Sequence, residues 1–376
     1  MRFEFATAGR ILFGFGAARD IPAAAREMGR RALLVIRRST DFKSRGIEGV
    51  PFTVHGEPTV DLVREGTRLA RLEHCDSVIA IGGGSALDAG KAIAALLANG
   101  GDPLDYLEIV GLGKPLTRPS APFAAVPTTA GTGSEVTRNA VLASPEHGVK
   151  ASLRSPHMLP ALAVVDPELS LDLPPAITAC TGLDALTQLI EAYVSCRANA
   201  MTDLYCIEGM RRAAGALREA WRDGRNREAR TSMAFAALLS GLALANSGLG
   251  VVHGFAAPLG GMFAAPHGGL CAALLPHAMA VNISALRAAG PGVEGLIRYQ
   301  AAARILTGDP DASPEDGAKW VAALCRDLEV PGLRAYRITP ADVPVVAAKA
   351  AQAGSTKGNP VVLAHGELEE LLTRAI

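Results

Sequence analysis

The run Ser77-Val78-Ile79-Ala80-Ile81 is apolar beyond its first residue and ends directly on Gly82, Gly83 and Gly84. A stretch of helical spacing through Ser85, Asp88 and Lys91 follows. A short, continuous apolar run suits a strand buried on both faces, in a sheet covered by helices on each side. Glycines at the junction let a backbone come close to a phosphate, and a helix start supplies free N–H groups and a positive dipole end. Ser85 and Asp88 have the spacing of a capping box. The order is not G-x-G-x-x-G, so the ordinary dinucleotide fingerprint is not met. A tight, well-capped turn is the plainer alternative.

The flanking sequence repeats the strand-then-helix pattern. Arg10 to Gly14, Arg31 to Ile36 and Pro122 to Val126 read as strands; Gly16 to Gly29 and Val60 to Leu72 read as helices. Such alternation predicts a mostly parallel sheet. A second loop, Pro127 to Glu135, carries Thr128, Thr129, Thr132 and Ser134 with two glycines. Loops that follow strands of one parallel sheet converge on its carboxyl edge, where ligands bind in open α/β folds. These hydroxyls suit ribose, phosphate or amide contacts. After the strand ending at Ile36 come Arg37 and Ser39, where an acidic residue would hold a ribose 2′-hydroxyl and an Arg with small polar groups suits a 2′-phosphate. The pattern therefore favours NADP over NAD.

The alternation fades after Pro156 to Pro160, and Leu171 to Pro175 marks a boundary. We read residues 1–173 as an α/β dinucleotide-binding domain and 174–376 as an all-α metal and substrate domain, with a cleft between them. Asp184 and Gln188 lie four residues apart, on one helix face. His253 and His267 bracket a Gly- and Ala-rich run, which allows close helix approach. Asp184, His253 and His267 form a 2-His-plus-carboxylate set suited to Fe(II) or Zn(II), with Gln188 adding only a neutral amide oxygen. Satisfied core histidines are the alternative.

Lys plus Arg and Asp plus Glu both number 37, so charge makes no case for nucleic acid or an anionic membrane. No uninterrupted apolar run reaches roughly 18 residues, and the N-terminus lacks an apolar signal core, so a cytoplasmic protein is expected. Six cysteines are scattered without a CxxC pair and read mostly as small buried hydrophobes.

Together, several motifs carry a resemblance over essentially the whole chain. They are Gly82-Gly83-Gly84-Ser85 with Asp88 and Lys91, and Pro127-Thr128-Thr129 with Gly131-Thr132-Gly133-Ser134-Glu135. Gly182 with Asp184-Ala185-Leu186-Thr187, Ile190-Glu191-Ala192-Tyr193, Pro258-Leu259-Gly260 and Pro266-His267-Gly268 complete the set. The chain resembles the iron-containing (group III) alcohol dehydrogenases, whose fold is shared with glycerol dehydrogenase and dehydroquinate synthase. The resemblance implies NAD(P)-dependent interconversion of an alcohol and a carbonyl compound, metal-assisted, in a homodimer or larger assembly. It places the family's metal ligands on Asp184, Gln188, His253 and His267, so a Gln stands where the family usually has His. A further family His near the nicotinamide falls on Ala257, the usual acidic residue after the second strand falls on Arg37, and a lysine near the cofactor ribose falls on Lys150. Relatives such as the maleylacetate reductases also depart from the full ligand set. Where metal is absent, His253 or His267 would donate to the carbonyl oxygen. A non-catalytic dinucleotide-binding protein with a decayed metal site and a same-fold lyase or cyclase are the competing readings.

Overall fold

A computed structural model describes residues 2–37, 46–290 and 292–376. Ser39, expected beside the cofactor, lies outside the described residues. The chain divides into two compact units, Ala6–Leu171 and Met1–Phe5 with Asp172–Ile376.

The first unit contains strands β1 (Arg10–Phe13), β2 (Ala32–Ile36), β3 (Val50–Thr53), β4 (Ser77–Gly82), β5 (Phe123–Pro127), β6 (Asn139–Ser144), β7 (Val149–Arg154) and β8 (Leu162–Val165). Its helices are α1 (Ile21–Met28), α2 (Val60–Leu72), α3 (Gly84–Asn99) and the single turn α4 (Pro103–Tyr106). Six strands form one sheet in the order β1-β8-β5-β4-β2-β3, and every pair is parallel. Alternate side chains of each strand feed opposite cores. Leu33, Val35, Val78, Ala80, Phe123 and Ala125 pack on the face with Val63 of α2 and Leu87 and Ile93 of α3. Leu34, Ile36, Ile79, Ile81, Ala124 and Val126 pack on the other, with Ile21 and Ala24 of α1. A strand buried on both faces has no polar position to alternate, which is why these runs read as continuous. The chain winds outward in one direction through β2 and β3 and in the other through β4, β5 and β8, so the winding reverses between β2 and β4. That reversal is the ligand-binding point of a doubly wound sheet.

Two elements go beyond the sequence pattern. Where the alternation fades after Pro160, β8 still follows, inside the α/β half, and pairs with both β1 and β5. Residues 139–154 form an antiparallel hairpin, β6 with β7, that hydrophobic pattern alone did not reveal.

The second unit is helical, with no strand among its described residues. Its helices are α5 (Pro175–Val194), α6 (Ala200–Arg222), α7 (Arg227–Ser247), α8 (Val251–Met262), α9 (His267–Ala288), α10 (Glu294–Thr307), α11 (Pro314–Asp327), α12 (Val343–Gln352) and α13 (His365–Ala375). Helix α5 is the hub and packs against α6, α7, α9 and α10. From Gly182 to Val194 it is buried on all sides, including Asp184, Gln188 and Glu191. Helix α9 is long and apolar enough to cross a membrane by composition, but 72% of its most apolar window is buried inside the protein. That is the burial of a core helix.

Candidate active site and metal centre

In the first unit, Gly83 is the N-cap of α3 and makes no side-chain capping bond. The expected capping box is not formed. Helix α3 begins at Gly84, so Ser85 sits inside it, and the Asp88 carboxylate is engaged elsewhere, accepting from Ser134 Oγ (2.6 Å) and the Val141 N–H (3.0 Å). The start of α3 therefore keeps its donors clear of side-chain caps, as an anion site requires. The second loop lies directly over it. A Cβ on Gly84 would stand 2.8 Å from Thr132 Cγ2, and one on Gly83 would stand 3.3 Å from Thr129 Oγ1. These glycines are needed for close approach rather than for unusual dihedrals. Gly83, Gly84, Ser85, Thr128, Thr129 and Thr132 are all partly exposed and so form an accessible surface.

Ser134 is different, because it is buried and its hydroxyl is spent on Asp88. Lys91, also buried, locks this corner: its ammonium donates to Ser134 O (2.7 Å), Ser134 Oγ (3.0 Å), Thr137 Oγ1 (3.0 Å) and Asn139 O (2.8 Å). Burial pulls the Lys91 ammonium down to about 8 and pushes the Glu135 carboxyl up to about 7. Gly82 closes the end of β4, and a Cβ there would lie 3.8 Å from Arg37 Cβ. Exposed Arg37 thus stands at the reversal between β2 and β4. Lys150, on β7, is no solvated charge: its side chain is 15% exposed and its ammonium lies 3.3 Å from Glu57 Oε2.

In the second unit, three helices bring four donors together. Asp184 comes from the middle of α5, His253 from the first turn of α8, His267 from the first residue of α9 and Cys271 from one turn further along α9. Their ligand atoms all lie within 4.8 Å of one another. His253 Nε2 and His267 Nε2 stand 3.5 and 3.6 Å from Asp184 Oδ1, and 3.9 and 3.6 Å from Cys271 Sγ. Gly268 permits this approach, since a Cβ there would meet the Cys180 carbonyl of α5 at 2.2 Å.

The donors fit a metal ion. Asp184 Oδ1 is buried and has no hydrogen-bond partner among the described residues. A buried carboxylate oxygen left unpaired is costly, and a cation removes the cost. Burial works to neutralise Asp184, but the charges of His267 and His253 outweigh it and hold the carboxyl below its ordinary value. Burial likewise opposes ionisation of the Cys271 thiol, and the same two imidazoles reverse that and lower it. His253 Nδ1 lies 2.6 Å from Glu191 Oε2, which directs Nε2 at the cluster. A carboxylate behind a ligating histidine is the usual support of a metal site. The His267 side chain is 42% exposed, against 7% for His253, so the cluster opens to solvent on the His267 side.

Gln188, the further donor expected from the sequence, has its oxygen engaged by another side chain. It is buried one turn beyond Asp184, but its amide oxygen accepts from the Ser240 hydroxyl at 2.7 Å. Sequence reasoning missed Cys271 and Glu191. The i+4 spacing of Cys271 from His267 is a usable signal; Glu191 stands in the Ile190-Glu191-Ala192-Tyr193 motif, but its role toward His253 emerges only once α8 is placed.

Comparison with known proteins agrees with this geometry. A profile described as "Iron-containing alcohol dehydrogenase" matches residues 8–167, and one described as "Fe-containing alcohol dehydrogenase family, C-terminal" matches residues 178–376. The chain belongs to the iron-containing alcohol dehydrogenase family. It is 38% identical to the 1,3-propanediol dehydrogenase of Citrobacter freundii over 346 residues, covering 89% of this chain and 85% of the relative. A crystal structure of 1,3-propanediol oxidoreductase superposes with a TM-score of 0.91 at 34% identity, covering all of both chains. The sulfoacetaldehyde reductase of Bifidobacterium kashiwanohense, solved in complex with NAD+, superposes with a TM-score of 0.89 at 29% identity, covering 100% of this chain and 99% of that one. As an iron-containing alcohol dehydrogenase, the chain is an oxidoreductase acting on CH–OH groups with a nicotinamide cofactor. The non-catalytic and lyase readings fall away.

Proposed function

We propose that this enzyme reduces short aldehydes that carry a second polar group, with NADP(H) preferred, and runs the reverse oxidation of the matching alcohols. Gly82, Gly83, Gly84 and Ser85 receive the cofactor's pyrophosphate at the start of α3, and Thr128, Thr129 and Thr132 close over it. Arg37, with Ser39 beside it in sequence, faces the ribose 2′-phosphate. Asp88 and Ser134 act one step back by fixing the second loop, and Lys150 lies towards the ribose.

Asp184, His253 and His267 hold a divalent metal. When bound, the metal polarises the substrate oxygen as a Lewis acid, and the nicotinamide supplies hydride. Glu191 keeps the His253 ring turned and its Nε2 free. Half-exposed His267 borders the path by which the substrate oxygen enters. Ala257, exposed on α8 one turn after His253, leaves room where the family places an imidazole. Sulfoacetaldehyde and 1,3-propanediol, named in the relatives, are short and carry a second polar group, which supports this substrate class. A cytoplasmic location and a homodimer or larger assembly belong to the same proposal.

The observation that carries the reading is the buried Asp184 oxygen, without a hydrogen bond among the described residues, facing two imidazoles. The test is oxidation of NADPH and NADH against a panel of aldehydes and keto acids. Each assay is run on chelator-stripped protein and on protein reloaded with Fe(II) or Zn(II). Activity restored only by reloading is the expected result. Equal activity after stripping would transfer the role to His253 or His267 acting as proton donors.

A further inference from the structure

We infer that Cys271 is the fourth ligand of the metal centre in place of Gln188, and that its thiolate makes this a zinc site. The inference rests on the proposed metal-assisted reading and concerns the same pocket. Three observations carry it. Cys271 is fully buried and its Sγ points at both imidazole nitrogens, 3.9 Å from His253 and 3.6 Å from His267. The buried Asp184 Oδ1, which has no hydrogen bond among the described residues, stands 3.5 and 3.6 Å from the same two nitrogens. The one amide oxygen that Gln188 could offer is held by Ser240.

The spacing also suits zinc. Zinc–sulfur and zinc–nitrogen bonds of about 2.3 and 2.0–2.1 Å at tetrahedral angles set a sulfur-to-nitrogen edge of roughly 3.5 Å. The four imidazole edges, to Asp184 Oδ1 and Cys271 Sγ, run from 3.5 to 3.9 Å, and all donor atoms lie within 4.8 Å of one another. The donor has therefore moved from α5 to α9, one helical turn after His267, while the count of four is kept. The substrate oxygen would have to approach from the His267 side, where the cluster meets solvent. Thiolate is a soft donor and zinc binds more tightly than Fe(II) to mixed N/S sites, so the exchange favours zinc. The thiol releases its proton to solvent on binding, and no electron is transferred.

The test uses the full-length protein, stripped and reloaded anaerobically with one equivalent of Co(II). Wild type is expected to show a strong near-ultraviolet thiolate-to-cobalt charge-transfer band. Cys271→Ser is expected to lose that band and to bind Zn(II) at least about tenfold more weakly. Gln188→Ala should keep the band and its Zn(II) affinity. Far-ultraviolet circular dichroism and the Tm of the stripped variants check that each is folded, and Cys271→Ala serves if the Ser variant is not. Co(II) bound to wild type without the band would overturn the thiolate assignment and leave the metal reading standing. Failure of wild type to bind Co(II) or Zn(II) by equilibrium dialysis would overturn both. Weakened Zn(II) binding by Gln188→Ala, with Cys271→Ser at the wild-type affinity, would return the fourth place to Gln188.

Discussion

Glu191 spans two helices at one point: its Oε2 lies 2.6 Å from His253 Nδ1, and its Oε1 accepts from the Val252 N–H at 2.6 Å. One carboxylate thus fixes both the imidazole and the start of the helix that bears it. Glu191→Gln keeps the size but weakens the charge-assisted bond to the ring. We expect Zn(II) affinity to drop about 10- to 100-fold, with activity partly rescued by excess Zn(II). Equilibrium dialysis with metal analysis reads the affinity, and an unchanged value would show that His253 needs no such support.

The start of α3 admits no side chain. Gly84→Val would drive into Thr132 and spoil the phosphate surface while leaving the helical unit untouched. The KM for the nicotinamide cofactor should rise by roughly tenfold or more, a loss of about 1.4 kcal/mol. Bound metal per chain should not change. A cofactor KM at the wild-type level would remove the pyrophosphate from this junction.

Arg37 decides between the two nicotinamide cofactors if it faces a 2′-phosphate. Arg37→Asp should lower the ratio of kcat/KM for NADPH to that for NADH by roughly tenfold or more. A ratio that stays put would assign the preference to another group.

Glu135 makes stability depend on pH. Its carboxyl is raised by burial to about 7, from an ordinary value of 4.5. Between those values the folded chain holds a proton that the unfolded chain has released, so this contribution to stability falls as pH rises from 4.5 to about 7. Glu135→Gln mimics the protonated form. It should match wild type in acid and be more stable by roughly 1–3 kcal/mol above neutrality. Urea unfolding of the whole chain across this range checks it; a variant that is less stable at alkaline pH would mean that the Glu135 charge is welcome beside Lys91.

Ala257→His refills the space left on α8. Activity on bulkier or polar-substituted aldehydes should fall relative to short unsubstituted ones by roughly tenfold, the scale of a filled or emptied pocket. A preference for the larger substrates that survives the substitution would sink the steric account.

The α/β order, the helical second half and three of the four clustered donors, Asp184, His253 and His267, were legible in the sequence because each depends on local pattern. Strands β2, β4 and β5 are buried on both faces and so leave unbroken apolar runs, and Asp184 with Gln188 and His253 with His267 stand out by spacing. Other features hang on contacts distant in the chain. The Ser85–Asp88 spacing looked like a cap, but Asp88 turns instead to Ser134, 46 residues away, because the second loop folds over α3. Gln188 and Cys271 could not be ranked as ligands from spacing, since each lies one helical turn from a recognised donor. Ser240, 52 residues from Gln188, occupies the amide oxygen, and the meeting of α5, α8 and α9 aims the thiol at the imidazoles. Helical periodicity fixes the face a residue occupies along its own helix; only the packing of one helix on another decides which of those faces converge on a metal.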